Sequence, residues 1–352
     1  MTRPRIAILY TGGTIGMLPG SQGLAPVAGA LAERLQQEPR LQSSHVPEFE
    51  LLEYDPLLDS SEMQPQHWQH MADDIRARES KFDGFLILHG TDTMAYTASA
   101  LSFLLPGIEK AVILTGSQLP LSEPHSDAHD HLIEGLMLAA QPACQGVQLL
   151  FHHTLWPGNR VTKTSSVALG AFSAPNAQPL WEMNTRYGPV VAVNPVNSVN
   201  PADTSTKPTP SALPALHTAL QPRQIGVLPL TPGLPLSMLE HYFHQPLDGV
   251  ILQTFGAGNA PQQPEFLAVL QRACDAGTVM INLSQCSHGG VDMGTYATGS
   301  TLASTGVISG FDMTLEACYT KLLALLNADL DVHQIRHLMQ QNLCGELTPA
   351  SS

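Results

Sequence analysis

The sequence predicts an α/β protein with a larger N-terminal domain, a mostly parallel sheet with helices on both faces, and a smaller C-terminal α/β domain. Three observations support this fold class. Short apolar runs alternate with longer helix-like stretches, which is typical of a parallel sheet covered by helices. Nearly every run ends in small and hydroxyl residues. The 352 residues are also enough for two domains of ordinary size.

The apolar runs of the N-terminal part are rich in valine, isoleucine and leucine. Runs of this kind are typical of parallel strands that are buried on both faces. The stretches Gln66–Glu79 and Met94–Leu105 have the apolar pattern or length of helices and lie between such runs. The predicted strands are Ile6–Tyr10, Glu50–Tyr54, Phe85–Leu88, Ala111–Leu114 and Val147–Phe151.

A proline-rich segment separates the two predicted domains. Seven prolines fall between Asn184 and Arg223, and such a stretch supplies few backbone donors for a sheet ladder. We therefore predict a catalytic domain at 1–185, a linker at 186–223 that carries an edge strand at Val190–Val193, and a C-terminal domain at 224–352. The elements predicted after the linker are strands at Ile225–Leu230, Gly249–Phe255 and Thr278–Leu283, and helices at Pro264–Asp275, Thr314–Asn327 and Val332–Asn342.

The composition argues against several classes of protein. Thirty acidic residues stand against 16 basic ones, so the chain has few cations for the phosphate contacts that dominate nucleic-acid binding. No apolar run approaches the ~18 residues of a membrane helix, and no export signal is visible. The five cysteines include no C-x-x-C pair, so no zinc knuckle is predicted. We expect a cytoplasmic protein without a nucleic-acid or membrane partner.

Four polar loops follow apolar runs in the N-terminal part of the chain. In open parallel sheets the ligand site lies beyond the carboxyl ends of the strands, where loop amides point into one crevice. Four loops rich in threonine, serine, aspartate and glycine at that edge predict a small polar pocket. They are Thr11–Gly16, Asp59–Ser61, His89–Thr93 and Thr115–Gln118.

Two threonines and one lysine are the candidates for chemistry in this pocket. The hydroxyls of Thr14 and Thr91 are weak nucleophiles that need an adjacent base. Lys163 is one of only five lysines, and beside an acid such as Asp92 it could accept and return a proton. This set would suit acyl transfer, with loop amides holding the oxyanion. Structural interpretations stay open: a simple Gly-Gly turn before Thr14, a helix cap at Thr91 and Asp92, and a surface lysine.

These motifs resemble the paired signature of the bacterial-type L-asparaginases. Thr11-Gly-Gly-Thr-Ile-Gly16 is followed by His89-Gly-Thr-Asp-Thr-Met94, and the likeness extends over nearly the whole chain. The run 56–63 resembles the cytosolic type I branch. Further matches are Asp59-Ser-Ser-Glu-Met63, Thr115-Gly-Ser-Gln118, Gly256-Ala-Gly-Asn-Ala-Pro261 and Gly310-Phe-Asp-Met-Thr314.

The resemblance implies hydrolysis of L-asparagine to L-aspartate and ammonia, without a metal or an organic cofactor. Thr14 would be the nucleophile. Thr91, Lys163 and Asp92 would form the supporting relay that activates a hydroxyl or water.

The resemblance also implies a set of substrate contacts and a self-assembled site. Asp92 would pair with the α-ammonium of the substrate, and Ser60 and Ser61 would hold its α-carboxylate. Family members are homodimers or dimers of dimers, and Asn259 is the best match for the residue contributed by a neighbouring copy. The implied substrate-binding residues are Asp59, Ser60, Ser61, Thr91, Asp92, Ser117 and Asn259.

Several positions depart from the family pattern. Leu24 stands where many members have a tyrosine that assists the nucleophile, and His125, Ala128 and His131 change the segment after Thr115–Gln118. We interpret the histidines of 125–131 as a solvated or interface cluster rather than a metal site.

A regulatory asparagine site of some type I enzymes would correspond to Thr162, Gln253 and Cys286. The arginine of that site is replaced by Gln253, which removes the bidentate partner of a carboxylate. We predict weak or absent activation by asparagine at this second site.

Two other classes of function stay open at this point. One is a non-catalytic amino-acid sensor that keeps the pocket, which Leu24 and the altered 124–131 segment would favour. The other is a nucleotide-binding α/β protein, because Gly12, Gly13 and Gly16 follow a strand, although neither a P-loop nor a regular G-x-G-x-x-G spacing is present. The asparaginase-like subunit of a tRNA amidotransferase is a related possibility.

Overall fold

The computed structural model describes residues 3–20, 23–183, 220–294 and 297–348. The chain divides into two units, Met1–Lys207 and Pro208–Ser352. Most of the predicted linker at 186–223, with its edge strand at Val190–Val193, lies outside the described residues, so the predicted domain limits stay predictions. In the described ranges no helix combines the length and apolar character that crossing a bilayer requires.

The N-terminal unit alternates strands and helices along the chain. Its strands are β1 (Arg5–Gly12), β2 (Met17–Gly20), β3 (Gly23–Pro26), β4 (Glu48–Leu58), β5 (Gly84–Leu88), β6 (Ala111–Thr115), β7 (Gly146–Phe151), β8 (Thr154–Pro157), β9 (Thr162–Lys163), β10 (Phe172–Ser173) and β11 (Trp181–Glu182). Its helices are α1 (Ala30–Gln37), α2 (Pro65–Arg78), α3 (Met94–Leu104) and α4 (Ala128–Ala139), and short 3₁₀ turns lie at Thr14–Gly16, Pro39–Gln42, Ser60–Glu62 and Gly158–Arg160.

Seven strands form the main sheet of this unit, in the order β11-β8-β7-β6-β5-β1-β4. The five strands from β4 to β7 are parallel, and β8 and β11 extend the sheet with antiparallel pairs. Strand β1 lies between β4 and β5, so the chain first adds a strand on one side of β1 and then continues on the other. The strand order therefore reverses at β1, and the crevice between the carboxyl ends of β1 and β5 is the expected ligand position.

Helices cover both faces of this sheet because side chains of alternate strand residues point to opposite faces. Ile8 of β1 belongs to a buried cluster with Leu31 of α1 and Leu136 of α4. Its neighbours Ala7 and Leu9 are also fully buried. Helix α3 packs against β6 and β7, and α2 packs against α3. The predicted larger domain, a mostly parallel sheet covered on both faces, is confirmed.

The C-terminal unit is a smaller parallel α/β structure. Its strands β12 (Ile225–Pro229), β13 (Gly249–Thr254), β14 (Val279–Ser284) and β15 (Ile308–Ser309) form a sheet in chain order, with every pair parallel. Separate apolar clusters lie around Ile251 and Leu252, neighbouring residues of β13, as expected for a sheet covered on both faces. The helices are α5 (Leu236–Tyr242), α6 (Pro264–Asp275), α7 (Ala297–Ser304), α8 (Leu315–Leu326) and α9 (Val332–Met339).

Candidate active site

Two glycine-containing loops meet at the crevice between β1 and β5. Gly13 has φ +88°, and a Cβ atom there would lie 2.4 Å from the backbone nitrogen of Gly90. Only glycine allows this backbone conformation and this close approach together. The contact brings the loop of Thr14 against the loop that carries Thr91, which is the convergence that the two motifs predict.

Thr14 begins the 3₁₀ turn after β1 and is half-buried. Within the described part of the chain, its hydroxyl forms no hydrogen bond. A hydroxyl without a hydrogen-bond partner is open to a ligand, and it needs an adjacent base to become an effective nucleophile. The side chain of Leu24, on the hairpin β2–β3 that follows, is half exposed.

Lys163 joins two residues of the loop after β5. Its Nζ donates to Thr91 Oγ1 at 2.8 Å and to Asp92 Oδ1 at 2.6 Å. The side chain of Lys163 is 17% exposed, while that of Asp92 is 67% exposed, so the lysine is the more enclosed partner. Strand β9 places the lysine through its antiparallel pairing with β10, where Lys163 lies opposite Phe172. The arrangement can hold an ammonium against a hydroxyl and exchange a proton with it.

The residues after β4 adjoin the same loop. Ser60 is buried, and its carbonyl accepts a hydrogen bond from Thr93 Oγ1 at 2.6 Å. Asp59 caps the following 3₁₀ turn by accepting from the backbone nitrogen and the hydroxyl of Ser61, both at 2.8 Å. A Cβ atom at Gly90 would lie 2.5 Å from Ser60 Oγ, so Ser60 packs directly on the residue before Thr91. The structure thus brings Ser60 to the Thr91 loop, with Ser61 oriented by Asp59.

Comparison with known proteins agrees with this geometry. Residues 5–192 match the family model described as Asparaginase, N-terminal, and residues 224–339 match the Glutaminase/Asparaginase C-terminal domain. This chain belongs to the asparaginase family. The prediction from the two threonine motifs is therefore confirmed, and the chain is an asparaginase-family enzyme.

Relatives of this asparaginase-family chain are similar over its full length. It is 45% identical over 350 residues to L-asparaginase 1 of Escherichia coli (strain K12), with 99% of both chains covered. Its structure is similar to that of L-asparaginase I from Vibrio cholerae, with a TM-score of 0.83, 42% identity, and 99% of this chain and 100% of that chain covered. It is also similar to the thermostable L-asparaginase from Thermococcus kodakarensis, with a TM-score of 0.82, 30% identity, and 98% and 100% covered.

The loop after β6 is the third polar segment of this asparaginase-family site. Ser117 is buried, and its hydroxyl donates to the carbonyl of Leu119 at 2.6 Å, so the hydroxyl predicted to bind substrate already has a partner. The neighbouring Gln118 places its Oε1 3.5 Å from Thr91 Oγ1. Gln118 is not among the site residues predicted from the sequence. Its position at the end of a buried strand beside Ser117 was the available signal.

His89 lies at the carboxyl end of β5 and is fully buried. Its Nδ1 is 2.7 Å from the carbonyl of Gly90, and its Nε2 is 2.9 Å from Thr97 Oγ1, which itself accepts from Trp68 Nε1 at 3.0 Å. The carbonyl can only accept, so Nδ1 carries the proton and Nε2 accepts from Thr97. Burial lowers the pKa of His89 to about 4. The ring is therefore neutral, and its two hydrogen bonds fix one orientation. In this orientation it supports the loop at Gly90 and Thr91.

We expect the buried state of His89 to make the protein less stable in mild acid. The pKa of this histidine falls from 6.5 in the unfolded chain to about 4 in the folded one. Between pH 6.5 and 4 the histidine is protonated in the unfolded chain but neutral in the folded one. The contribution of His89 to the free energy of unfolding is therefore fully present above pH 6.5 and is lost as the pH falls toward 4. The loss should be on the order of 3 kcal/mol. Urea unfolding of wild type and His89→Gln at several pH values measures it, and parallel pH profiles for both proteins would contradict the expectation.

The histidines at 125–131 are not all solvated, which corrects part of the interpretation of this segment. His131 lies in α4 and is 1% exposed. Its Nδ1 is 2.8 Å from the carbonyl of Gly116, and its Nε2 accepts from the backbone nitrogen of His152 at 2.8 Å. It therefore supports the loop after β6. In the described ranges, no group of three or more histidine, cysteine, aspartate and glutamate side chains has the geometry of a metal site.

The other predicted residues lie in different parts of the chain. Thr162 is the residue before Lys163 in the N-terminal unit, whereas Gln253, Asn259 and Cys286 belong to the C-terminal unit. Asn259 closes a tight turn after β13, where its backbone exchanges hydrogen bonds with Phe255 at 2.8 and 2.9 Å. Gln253 lies near the carboxyl end of β13, and Cys286 is exposed just after β14. The proposed regulatory set is thus divided between the two units.

Proposed function

We propose that this chain hydrolyses L-asparagine to L-aspartate and ammonia in the cytoplasm. The single observation that carries the proposal is the position of the Lys163 ammonium between Thr91 Oγ1 and the Asp92 carboxylate. This arrangement lies in the switch-point crevice of a chain whose residues 5–192 and 224–339 match the models of the asparaginase family. A surface lysine with only a structural role would not require contacts with both a buried threonine hydroxyl and a carboxylate.

In the proposed reaction Thr14 Oγ attacks the carbon of the substrate's side-chain amide. The new C–O bond forms, loop N–H groups stabilise the oxyanion, and the C–N bond breaks as the nitrogen takes a proton and leaves as ammonia. Water then attacks the ester, and its proton returns to Thr14 as aspartate departs. Thr91 and Lys163 would activate the attacking hydroxyl or water by accepting and returning the proton.

Asp92 can serve both substrate binding and the relay. Its Oδ1 contacts Lys163, and two thirds of the side chain is exposed, which leaves room for an ammonium. An α-ammonium bound there would share the negative charge of the Asp92 carboxylate. It would thereby weaken the interaction of Asp92 with the Lys163 ammonium. Substrate binding would therefore help Lys163 to act as a base.

The remaining substrate contacts follow from the neighbouring loops. Ser60 and Ser61 would bind the α-carboxylate, with Asp59 orienting Ser61, and Ser117 would bound the pocket on the β6 side. Asn259 would reach the site of a neighbouring copy in a homodimer or a dimer of dimers. An acidic protein with few arginines can bind a zwitterion through one carboxylate and several neutral donors. No metal or organic cofactor is proposed.

We expect the rate of the reaction to rise hyperbolically with the concentration of asparagine. Gln253 stands in place of the arginine of the regulatory set, and its amide lacks the forked cation that would hold a second substrate carboxylate. Initial rates measured over a wide range of asparagine concentration test this expectation. A clearly sigmoidal curve would contradict it.

The proposal is tested by the release of ammonia from L-asparagine by the purified wild-type chain. Release with turnover supports hydrolysis. Binding of asparagine without release would instead support the amino-acid sensor, which the unpartnered Thr14 and the exposed Leu24 favour as the second candidate. A rise in melting temperature with nucleotides but not with asparagine would support a nucleotide-binding protein.

A further inference from the structure

We propose that Gln118 is a positioning residue that orients the hydroxyl proton of Thr91 and thereby keeps Thr91 Oγ1 aligned with Lys163. The inference deepens the proposed hydrolysis and rests on it. The side-chain amide of Gln118 bridges two parts of the site. Its Nε2 donates to the carbonyl of Ala168 at 2.9 Å, and its Oε1 lies 3.5 Å from Thr91 Oγ1.

The chemistry of the partners fixes which way the Gln118 amide points. The carbonyl of Ala168 can only accept, so the NH₂ group must face it. The amide oxygen, which also can only accept, therefore faces Thr91. It follows that the hydroxyl of Thr91 is the donor in this contact.

The Thr91 hydroxyl has one proton, which it can donate either to Gln118 or to Lys163. Lys163 in its ammonium form only donates, so Thr91 accepts from Lys163 at 2.8 Å while its own proton points to Gln118. A neutral Lys163 would instead attract the Thr91 proton to its lone pair. Within the described ranges, Gln118 Oε1 is the only acceptor close to this hydroxyl, so Gln118 and a neutral lysine compete for one proton.

The backbone of Gln118 is held firmly enough to act in this way. The nitrogens of Gln118 and Leu119 both donate to the enclosed carboxylate of Asp127, at 2.9–3.1 Å. His131 supports the preceding residue, Gly116, from α4. The charged or titratable groups around the bridge are therefore Asp92 at the lysine, Asp127 below the Gln118 backbone, and His131 behind the loop.

At 3.5 Å, the contact with Thr91 is long for an O–H···O hydrogen bond. Catalytic hydrogen bonds often tighten only when substrate binds. Ala168, the other partner, lies in the exposed segment 166–170, so the amide also links that segment to the relay. Gln118 would thus keep the Thr91 oxygen aligned with Lys163.

Two substitutions separate orientation of the proton from a purely structural role. Gln118→Met keeps the length of the side chain but removes the acceptor, so the Thr91 hydroxyl loses the group that orients its proton. Gln118→Glu keeps an acceptor at this position, so its kcat should stay closer to the wild-type value than that of Gln118→Met. A purely structural role of the amide would not distinguish the two variants in this way. Steady-state kinetics of ammonia release measure kcat and KM of both.

The kinetic readout is a fall in kcat of about tenfold in Gln118→Met, with a much smaller change in KM, because ground-state binding does not use this amide. Gln271→Met, which changes a half-buried glutamine of α6 that donates to Asp275, is the matched control and should change neither kcat nor KM. A wild-type kcat in Gln118→Met, or equal losses of kcat in Gln118→Met and Gln118→Glu, would overturn the proposal. If the wild-type chain itself releases no ammonia, the hydrolysis is refuted; if only the Gln118 variants behave like wild type, the hydrolysis stands and the role of Gln118 is refuted.

Discussion

Alanine at Thr14, at Thr91 or at Lys163 is expected to lower the rate of ammonia release from L-asparagine by about 10³-fold or more. Thr14 would supply the attacking oxygen, while Lys163 and Thr91, which are 2.8 Å apart, would move the proton. When several residues act as a unit, the first substitution already removes most of their combined effect on the rate. The double variant Thr91→Ala/Lys163→Ala should therefore be little slower than Lys163→Ala alone. Steady-state kinetics of the single and double variants measure both effects.

Two matched variants control for effects on folding. Thr154→Ala removes a threonine of β8 whose hydroxyl only contacts the His152 carbonyl, and Lys81→Ala removes an exposed lysine. Both should keep the wild-type rate, and circular dichroism should show all of the variants folded. A folded Lys163→Ala protein with near-normal turnover would remove the basis of the proposed relay.

Replacing Lys321 with methionine is expected to destabilise the C-terminal unit by about 3–5 kcal/mol. The Nζ of Lys321 lies 2.5 Å from Glu346 Oε1, and both side chains are completely buried. Lys321 also donates to the carbonyl of Met339 at 3.0 Å, and Glu346 accepts from the backbone nitrogen of Leu343 at 3.0 Å. Removing the lysine leaves a carboxylate without its counter-charge in an apolar interior. This unpaired buried charge is the reason why breaking a buried ion pair is strongly destabilising.

Hydrogen exchange of peptides from α8 and α9, followed by mass spectrometry, measures this loss where it is expected. The double variant Lys321→Met/Glu346→Gln should regain much of the protection, because no charge is then left unpaired. Lys110→Met is the control: Lys110 donates to the carbonyls of Glu79 and Phe82, so its loss leaves no buried charge unpaired and should change the protection of α8 and α9 little. Equal losses for Lys321→Met and Lys110→Met would contradict the argument.

The sequence predicted the central elements closely because their side chains carry a strong local pattern. Helix α6 has the predicted limits, Pro264–Asp275, and α8 begins after the Thr314 cap, whose hydroxyl accepts from the nitrogen of Ala317 at 3.1 Å. The predicted helix from Val332 to Asn342 ends earlier, at Met339. Terminal turns of this kind are weakly encoded in sequence.

Elements with a weak pattern were not predicted. Helix α4 begins four residues after Pro124 and carries His129 and His131 in its first turns, a composition that looks like a loop. It is helical because residues such as Leu132 and Leu136 pack on the main sheet. The short strands β8 to β11 have too few residues for any periodicity to appear. Such elements depend on their partners rather than on local preference.

The sequence by itself determined the α/β class, the asparaginase family and the identity of the candidate residues, because buried strands and glycine-dependent turns need particular residues at fixed local spacings. Only the tertiary structure decided which of these residues meet. Lys163 reaches Asp92 across 71 positions of sequence, and Gln118 reaches Thr91 across 27. Those contacts follow from strand order and from the pairing of β9 with β10, long-range properties that no local pattern of side chains specifies.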